Sequence, residues 1–321
     1  MCFCPKTWVP ILLATAIPIS LAEQVEVFQF FFNLYINLRS QNTLEGKVVL
    51  ITGASSGLGK ALAVAFYKQG CRLILCSRGK EQLDAIRLEL LQMSTSRETL
   101  YPPVVIPMDL SDVKQIEIKA KEALGIYGYL DILVNNAGIS YRGEVLHTKL
   151  DVDQQLMQVN YIGPVALTKA LLPSMIKRKA GHIVMVSSVQ GKIGIPFRSC
   201  YSASKHALQA FSDCLRAEVN KDKVMVSVID PGYIQTNLSL NAVTASGGRY
   251  GVTDKATAQG ETPEKVAWEI TRAVKQGKEE LIIAGFTTRF VIFLRTLFPS
   301  LYFLIMNHRA SKKEGLGAKQ D

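Results

Sequence analysis

Tyr201 and Lys205 stand four residues apart in "CYSASKHAL", so on a helix they share one face. An ordinary phenol titrates near 10 and is a poor base at neutral pH, but an adjacent ammonium favours the phenolate. A phenol so placed can protonate a carbonyl oxygen, or deprotonate an alcohol in the reverse direction. Ser188, in "HIVMVSSVQG", lies at the end of an apolar run, where its hydroxyl can hold the oxygen being protonated. Asn160 interrupts an otherwise apolar helical face formed by Leu156, Val159, Gly163 and Leu167. Each feature also has a plain reading. Tyr-x-x-x-Lys fits a surface pair, and a lone Asn fits a satisfied core polar group.

A second chemistry-bearing stretch is "VVLITGASSGLGKALAVAF" (48–66). Gly53-Ala54-Ser55-Ser56-Gly57 matches the G-x-S-x-G elbow that presents a hydrolase serine. It also matches a glycine-rich phosphate loop: Thr52, Gly53, Ser55, Ser56, Gly57, Leu58 and Gly59 would wrap a pyrophosphate at a helix N-terminus. The elbow requires an acid and then a histidine in a loop after a late strand. His147, His182, His206 and His308 do not supply one. Gly59 is also superfluous for an elbow, so Ser55 is read as part of a dinucleotide clasp. About 20 residues beyond such glycines, NAD enzymes place a carboxylate on the ribose. Here Ser77 and Arg78 occupy that place, and a guanidinium suits a 2′-phosphate, so the expected cofactor is NADP(H).

These loops need strands before them and helices after them. Continuous apolar runs predict strands at 48–52, 73–76, 104–107, 132–134, 183–186, 224–229 and 281–284. Helical patterns fall between them, at 58–69, 81–93, 112–124, 152–179, 202–219 and 263–275. The expected fold class is α/β: a Rossmann-type, doubly wound, seven-stranded parallel sheet in a single domain, preceded by an N-terminal membrane-anchor helix. Three regions follow: a hydrophobic signal-anchor and linker (1–45), a catalytic domain (46–285) and an apolar segment with a polar tail (286–321).

The net charge of +10 and pI near 9.3 accompany no basic helix with interleaved aromatics and no zinc-finger spacing, so no nucleic-acid partner is expected. The histidines and the six cysteines show no metal-ligand spacing, and no metal is expected. Thr7 to Ala22 is uncharged but spans only about 24 Å as a helix, short of a bilayer core of roughly 30 Å. A second uncharged run, Val27 to Leu38, favours a retained anchor over cleavage after Ala22. Phe290 to Met306 carries one arginine and a proline. It suits an interfacial helix or a flap over a lipophilic pocket, with a packed helix or a homodimer contact as alternatives.

The ordered set Thr52-Gly53-x-x-x-Gly57-x-Gly59, Asp109, Asn135-Asn136-Ala137-Gly138, Asn160, Ser188, Tyr201-x-x-x-Lys205 and Pro231-Gly232 resembles the short-chain dehydrogenase/reductase family over about residues 47–285. That resemblance implies Tyr201 as acid/base, Ser188 orienting the substrate carbonyl, Lys205 lowering the tyrosine pKa and Asn160 holding a water in a proton relay. It further implies cofactor contacts from Asp109 at the adenine, Asn136 on the adenosine side, Lys205 at the nicotinamide ribose, and Ile234 and Thr236 at the nicotinamide amide, with Leu110, Ala137, Gly138, Tyr201, Pro231 and Gly232 also among the cofactor-binding residues. Stretches such as "NYIGPVALTKALLPSMIKR" resemble a branch anchored in the endoplasmic reticulum or peroxisomal membrane, which implies a lipophilic carbonyl substrate: a steroid, a retinoid or an acyl-glycerone-type ketone. A membrane-tethered NADP-binding scaffold or sensor without turnover is the alternative. Such a protein has no need to keep Tyr201 and Lys205 in register.

Overall fold

The computed structural model describes residues 43–93 and 101–317, with side chains to 311. The expected N-terminal anchor lies outside the described residues. Nine strands are described: β1 (Val48–Thr52), β2 (Arg72–Ser77), β3 (Val104–Pro107), β4 (Ile132–Asn135), β5 (Tyr141–Arg142), β6 (Gly181–Val186), β7 (Val224–Pro231), β8 (Val243–Thr244) and β9 (Glu280–Ile283). The α-helices are α1 (Gly57–Lys68), α2 (Lys80–Gln92), α3 (Val113–Tyr127), α4 (Leu150–Met157), α5 (Gly163–Arg178), α6 (Ser199–Val219), α7 (Lys255–Ala258), α8 (Pro263–Lys275), α9 (Phe286–Leu297) and α10 (Pro299–Gly317).

Seven strands form one parallel sheet in the order β3-β2-β1-β4-β6-β7-β9. The pleat explains why the strands read as unbroken apolar runs. Val49, Ile51, Leu73, Leu75, Val134 and Val184 point to one face and pack with Leu62, Phe66, Leu83, Val266 and Ile270 of α1, α2 and α8. Their neighbours Val48, Leu50, Ile74, Leu133 and Ile183 point to the other, against Ile116, Leu167, Leu171, Leu208 and Leu215 of α3, α5 and α6. Both faces are covered, so the strands are predominantly apolar on both. The strand order reverses between β1 and β4, the switch point at which doubly wound sheets open a crevice for ligands.

Two departures from the expected elements bear on the site. The single helix expected over 152–179 is broken into α4, a π-helical turn (Gln158–Ile162) and α5. Periodicity does not register the extra residue of a π turn, and such turns are often found at functional sites. The second departure is a two-stranded sheet, β5 with β8, pairing Tyr141 with Val243 and Arg142 with Thr244. It pins the long segment after Gly232 beside the cleft. Pairing of two such short strands across about a hundred residues leaves no periodic trace in the sequence.

Candidate active site

Gly53 (φ +67°) and Gly57 (φ +50°) turn the chain out of β1 through the left-handed region. Gly59 meets a different constraint, since a Cβ there would stand 1.9 Å from the Gly53 carbonyl oxygen. Thr52 ties this loop to the end of β4: its Oγ1 donates to the Val134 carbonyl (3.3 Å) and accepts from the Asn136 and Ala137 amides (3.0 Å each). Asn136 Nδ2 returns a bond to the Thr52 carbonyl (2.9 Å). Thus the glycine loop, the start of α1 and the Asn136-Ala137-Gly138 turn form one backbone cradle. Arg78 is exposed at the end of β2, with no hydrogen bond or ion pair among the described residues. At the end of β3, Asp109 Oδ1 accepts from the Ser111 amide (2.9 Å) and hydroxyl (2.8 Å).

On the other side of the switch point, the residues expected to do proton chemistry converge. Tyr201 and Lys205 lie in α6 and are buried. Lys205 Nζ donates to the Val186 carbonyl at 2.9 Å and sits 5.8 Å from the Tyr201 ring centre. Ser188, just past β6, accepts from the Gln190 amide (3.1 Å), and its hydroxyl donates to the Pro231 carbonyl (3.5 Å). Asn160, fully buried in the π turn, is an adapter between backbone and helix. Its Oδ1 accepts from the Ile139 amide (2.8 Å), while Nδ2 donates to the Ile139 carbonyl (2.9 Å) and the Ser204 hydroxyl (3.0 Å).

Cradle and tyrosine open into one cleft of about 900 Å³. Its walls include every site residue expected from the sequence except Asn160: Thr52, Gly53, Ser55, Ser56, Gly57, Leu58, Gly59, Ser77, Arg78, Asp109, Leu110, Asn136, Ala137, Gly138, Ser188, Tyr201, Lys205, Pro231, Gly232, Ile234 and Thr236. Asn160 lies behind the wall. A Cβ added to Gly138 would approach its Oδ1 to 3.1 Å and Lys205 Nζ to 3.6 Å. No histidine lines the cleft, so Ser55 has no imidazole to act with.

Burial governs the electrostatics at this end of the cleft. It raises the Tyr201 phenol above its ordinary 10; the Ser188 hydroxyl and the charges of Arg142 and Arg198 oppose that rise without overcoming it. Lys205 is buried as well. Desolvation weighs more here because the ammonium is itself buried and bonded to a carbonyl, and it is pushed down to about 8 against the favourable charge of Asp230.

Arg142 and Arg198 were not expected from the sequence. Arg142, in β5, donates through Nε to Asp254 Oδ2 (2.8 Å), and Nη2 approaches the same oxygen at 2.6 Å. Arg198 Nη2 reaches that oxygen at 3.1 Å. Two guanidiniums on one carboxylate leave a buried positive surplus beside Tyr201, and burial with the Arg142 charge pushes Arg198 down to about 10. The one available clue was an arginine three residues before Tyr201; no spacing links positions 142, 198 and 254.

The short chain dehydrogenase family profile matches residues 47–246. The chain belongs to the short-chain dehydrogenase/reductase family. It is 55% identical over 282 residues to dehydrogenase/reductase SDR family member 7B of Xenopus laevis, covering 88% of this chain and 87% of that one. An alcohol dehydrogenase from Thermococcus sibiricus, solved with 5-hydroxy-NADP, superposes with TM-score 0.63 at 28% identity, covering 74% of this chain and 96% of its own. A Burkholderia phymatum short-chain dehydrogenase/reductase in complex with NAD superposes with TM-score 0.71 at 23% identity, covering 81% and 96%. This last likeness concerns the fold alone. As a member of the family, the chain is an oxidoreductase with a nicotinamide-cofactor fold.

Proposed function

We propose that the protein is an NADP(H)-dependent reductase of lipophilic ketones, reversible as an alcohol dehydrogenase and tethered to a membrane by its N-terminal segment. The observation that carries this reading is the single cleft in which a glycine cradle with Arg78 at its edge runs into Ser188, Tyr201 and Lys205. The cradle fits a dinucleotide: Gly53, Gly57 and Gly59 line the cleft with no side chain at the start of α1, and at Gly53 a Cβ would meet Ala137 Cα at 2.9 Å, so glycine is what lets this loop pack against the 136–138 turn. When bound, the cofactor supplies or accepts the hydride. Thr52, the loop 53–59, Asp109, Leu110, 136–138, Ile234 and Thr236 would hold it, with Arg78 on the 2′-phosphate.

The protein's own part is proton handling. The Ser188 hydroxyl holds the substrate oxygen, and Tyr201, whose proton is retained well above neutral pH, delivers it to that oxygen. Lys205 and the arginine pair supply positive charge near the phenolate that forms. Asn160 fixes the backbone at Ile139 that frames this end of the cleft. The apolar runs at 7–22 and 27–38 support a single-pass signal-anchor in the endoplasmic reticulum membrane, with the peroxisomal membrane, or a secretory route after cleavage at Ala22, as the other addresses such a segment permits.

Titrating NADPH and NADH against the wild type and an Arg78→Glu variant tests the cofactor assignment. Loss of a charge-assisted phosphate contact worth about 1.5–3 kcal/mol should weaken NADPH roughly 10- to 100-fold and leave NADH nearly unchanged. A panel of steroid, retinoid and acyl-glycerone-type ketones showing no NADPH oxidation above background would refute the substrate class.

A further inference from the structure

Beyond the cleft, α9 and α10 carry an apolar surface that the fold leaves open. Leu294, Tyr302 and Met306 turn inward onto Ile193. The opposite side of α9 presents Phe286 (83% exposed), Phe290, Phe293 and Leu297, spaced so that they line one face. The rings run as a continuous ladder: Phe286 to Phe290 at 6.3 Å, Phe290 to Phe293 at 6.5 Å and Phe293 to Phe298 at 6.4 Å between centres. Leu301, Phe303, Leu304 and Ile305 extend it along α10. A contiguous aromatic surface of this kind marks an interaction site.

Charge selects the occupant. From Phe286 to Lys313 there is no aspartate or glutamate, while Arg289, Arg295 and Arg309 are exposed along the two helices, Arg289 donating to the Ala284 carbonyl at the start of α9 and Arg295 lying over the Tyr302 and Phe303 rings. We propose that this face of α9 and α10 is a docking surface for an anionic lipid bilayer, lying in the headgroup region. Basic residues among exposed phenylalanines and leucines match such an interface, with aromatics reaching the acyl boundary and guanidiniums meeting phosphates. A second copy of this chain would bring the same cations together with no acid on the face to pair with them. Among the described residues no helix is long and apolar enough to cross a membrane.

The surface is joined to the cleft. Tyr302 donates its hydroxyl proton to the Gly194 carbonyl, in the segment between Ser188 and Tyr201. Arg309 Nη2 donates to the hydroxyl of Tyr233 (3.3 Å), a residue of the cleft wall. Docking here sets the substrate end of the cleft beside the lipid phase. The inference deepens the reading of a membrane-tethered enzyme, and its test separates the two.

The chain has only two tryptophans, Trp8 in the N-terminal apolar run and Trp268, exposed on α8. Full-length single-tryptophan variants are reconstituted in vesicles containing brominated lipids: one keeping Trp8, one keeping Trp268, and one carrying Phe293→Trp with both native tryptophans changed to Phe. Phe290→Trp in the same background guards against a local packing fault at 293. In phosphatidylglycerol vesicles, fluorescence at 293 and 290 should fall about twofold or more and recover in high salt, while Trp268 stays unquenched. Unquenched residues 293 and 290 alongside a quenched Trp8 would overturn the docking surface and leave the tether standing. Quenching at 293 with an unquenched Trp8 would do the reverse. Equal quenching in phosphatidylcholine overturns the anionic surface as occupant. So does shielding at 293 without lipid accompanied by a doubled mass, because a second copy then covers the face.

Discussion

At the scale of single residues, the cleft shows how much a side chain's role depends on what surrounds it. Tyr201 keeps its proton because burial outweighs the neighbouring positive charges, which suits donation to a ketone oxygen. Tyr201→Phe should therefore lower kcat by at least about a thousandfold while NADPH binding, measured by fluorescence titration, stays within about twofold. Lys205 loses its charge near pH 8. Ketone reduction should accordingly fall as pH rises through about 8. Asp230, whose carboxylate favours the ammonium, should move that fall to lower pH when replaced by Asn, which a pH profile of kcat for Asp230→Asn against wild type would reveal. Tyr201, Lys205 and Ser188 were legible because their types and spacing state their chemistry. The Arg142–Asp254–Arg198 cluster was not, since three separate segments meet there only after folding.

At the scale of elements, the turns decide the site. The loop out of β1 keeps its shape only while residue 59 lacks a Cβ, which would collide with the Gly53 carbonyl. Gly59→Ala should abolish NADPH binding, read by titration, while far-ultraviolet circular dichroism remains near that of wild type. The π turn sets Asn160 against Ile139 and Ser204. Asn160→Ala leaves a buried amide and carbonyl without their partner, at a cost of about 2–4 kcal/mol, and should lower both Tm and kcat. β6 and β7 carry two buried groups with opposing pH dependence. His182 donates from Nε2 to Ser227 Oγ (2.6 Å), whose own proton goes to the Lys278 carbonyl, and burial pushes the imidazole down to about 4. Its contribution, about 3 kcal/mol in size, is present above 6.5 and lost as pH falls towards 4. Burial raises Asp230 to about 6, so its contribution is present below 3.8 and lost as pH rises through 6. The two offset each other between pH 4 and 6. Over that range Tm should rise on acidification in His182→Gln and fall in Asp230→Asn.

At the scale of the whole molecule, the described unit combines a double-faced sheet that sets the cleft, a small β5–β8 sheet that pins the segment beyond Gly232, and a C-terminal helix pair resting on the segment before Tyr201. The proposed tether lies in the apolar runs before residue 40. The full chain should remain in the membrane fraction after alkaline carbonate extraction, and removal of residues 1–40 should release it; retention after that removal would count against the tether.

The strand–helix alternation, the parallel sheet and the residues proposed to carry proton chemistry were legible in local pattern: unbroken apolar runs require cover on both faces, and a glycine loop, a phenol and an amine stand out by type and spacing. Tertiary structure decided what depends on distance and desolvation. It broke the helix around Asn160, placed Asn160 behind the cleft wall, let burial outweigh charge at Tyr201, and gathered Arg142, Arg198 and Asp254 from positions far apart in the chain. Spacing along a chain carries periodicity, whereas the balance of burial and charge arises only once the elements have packed.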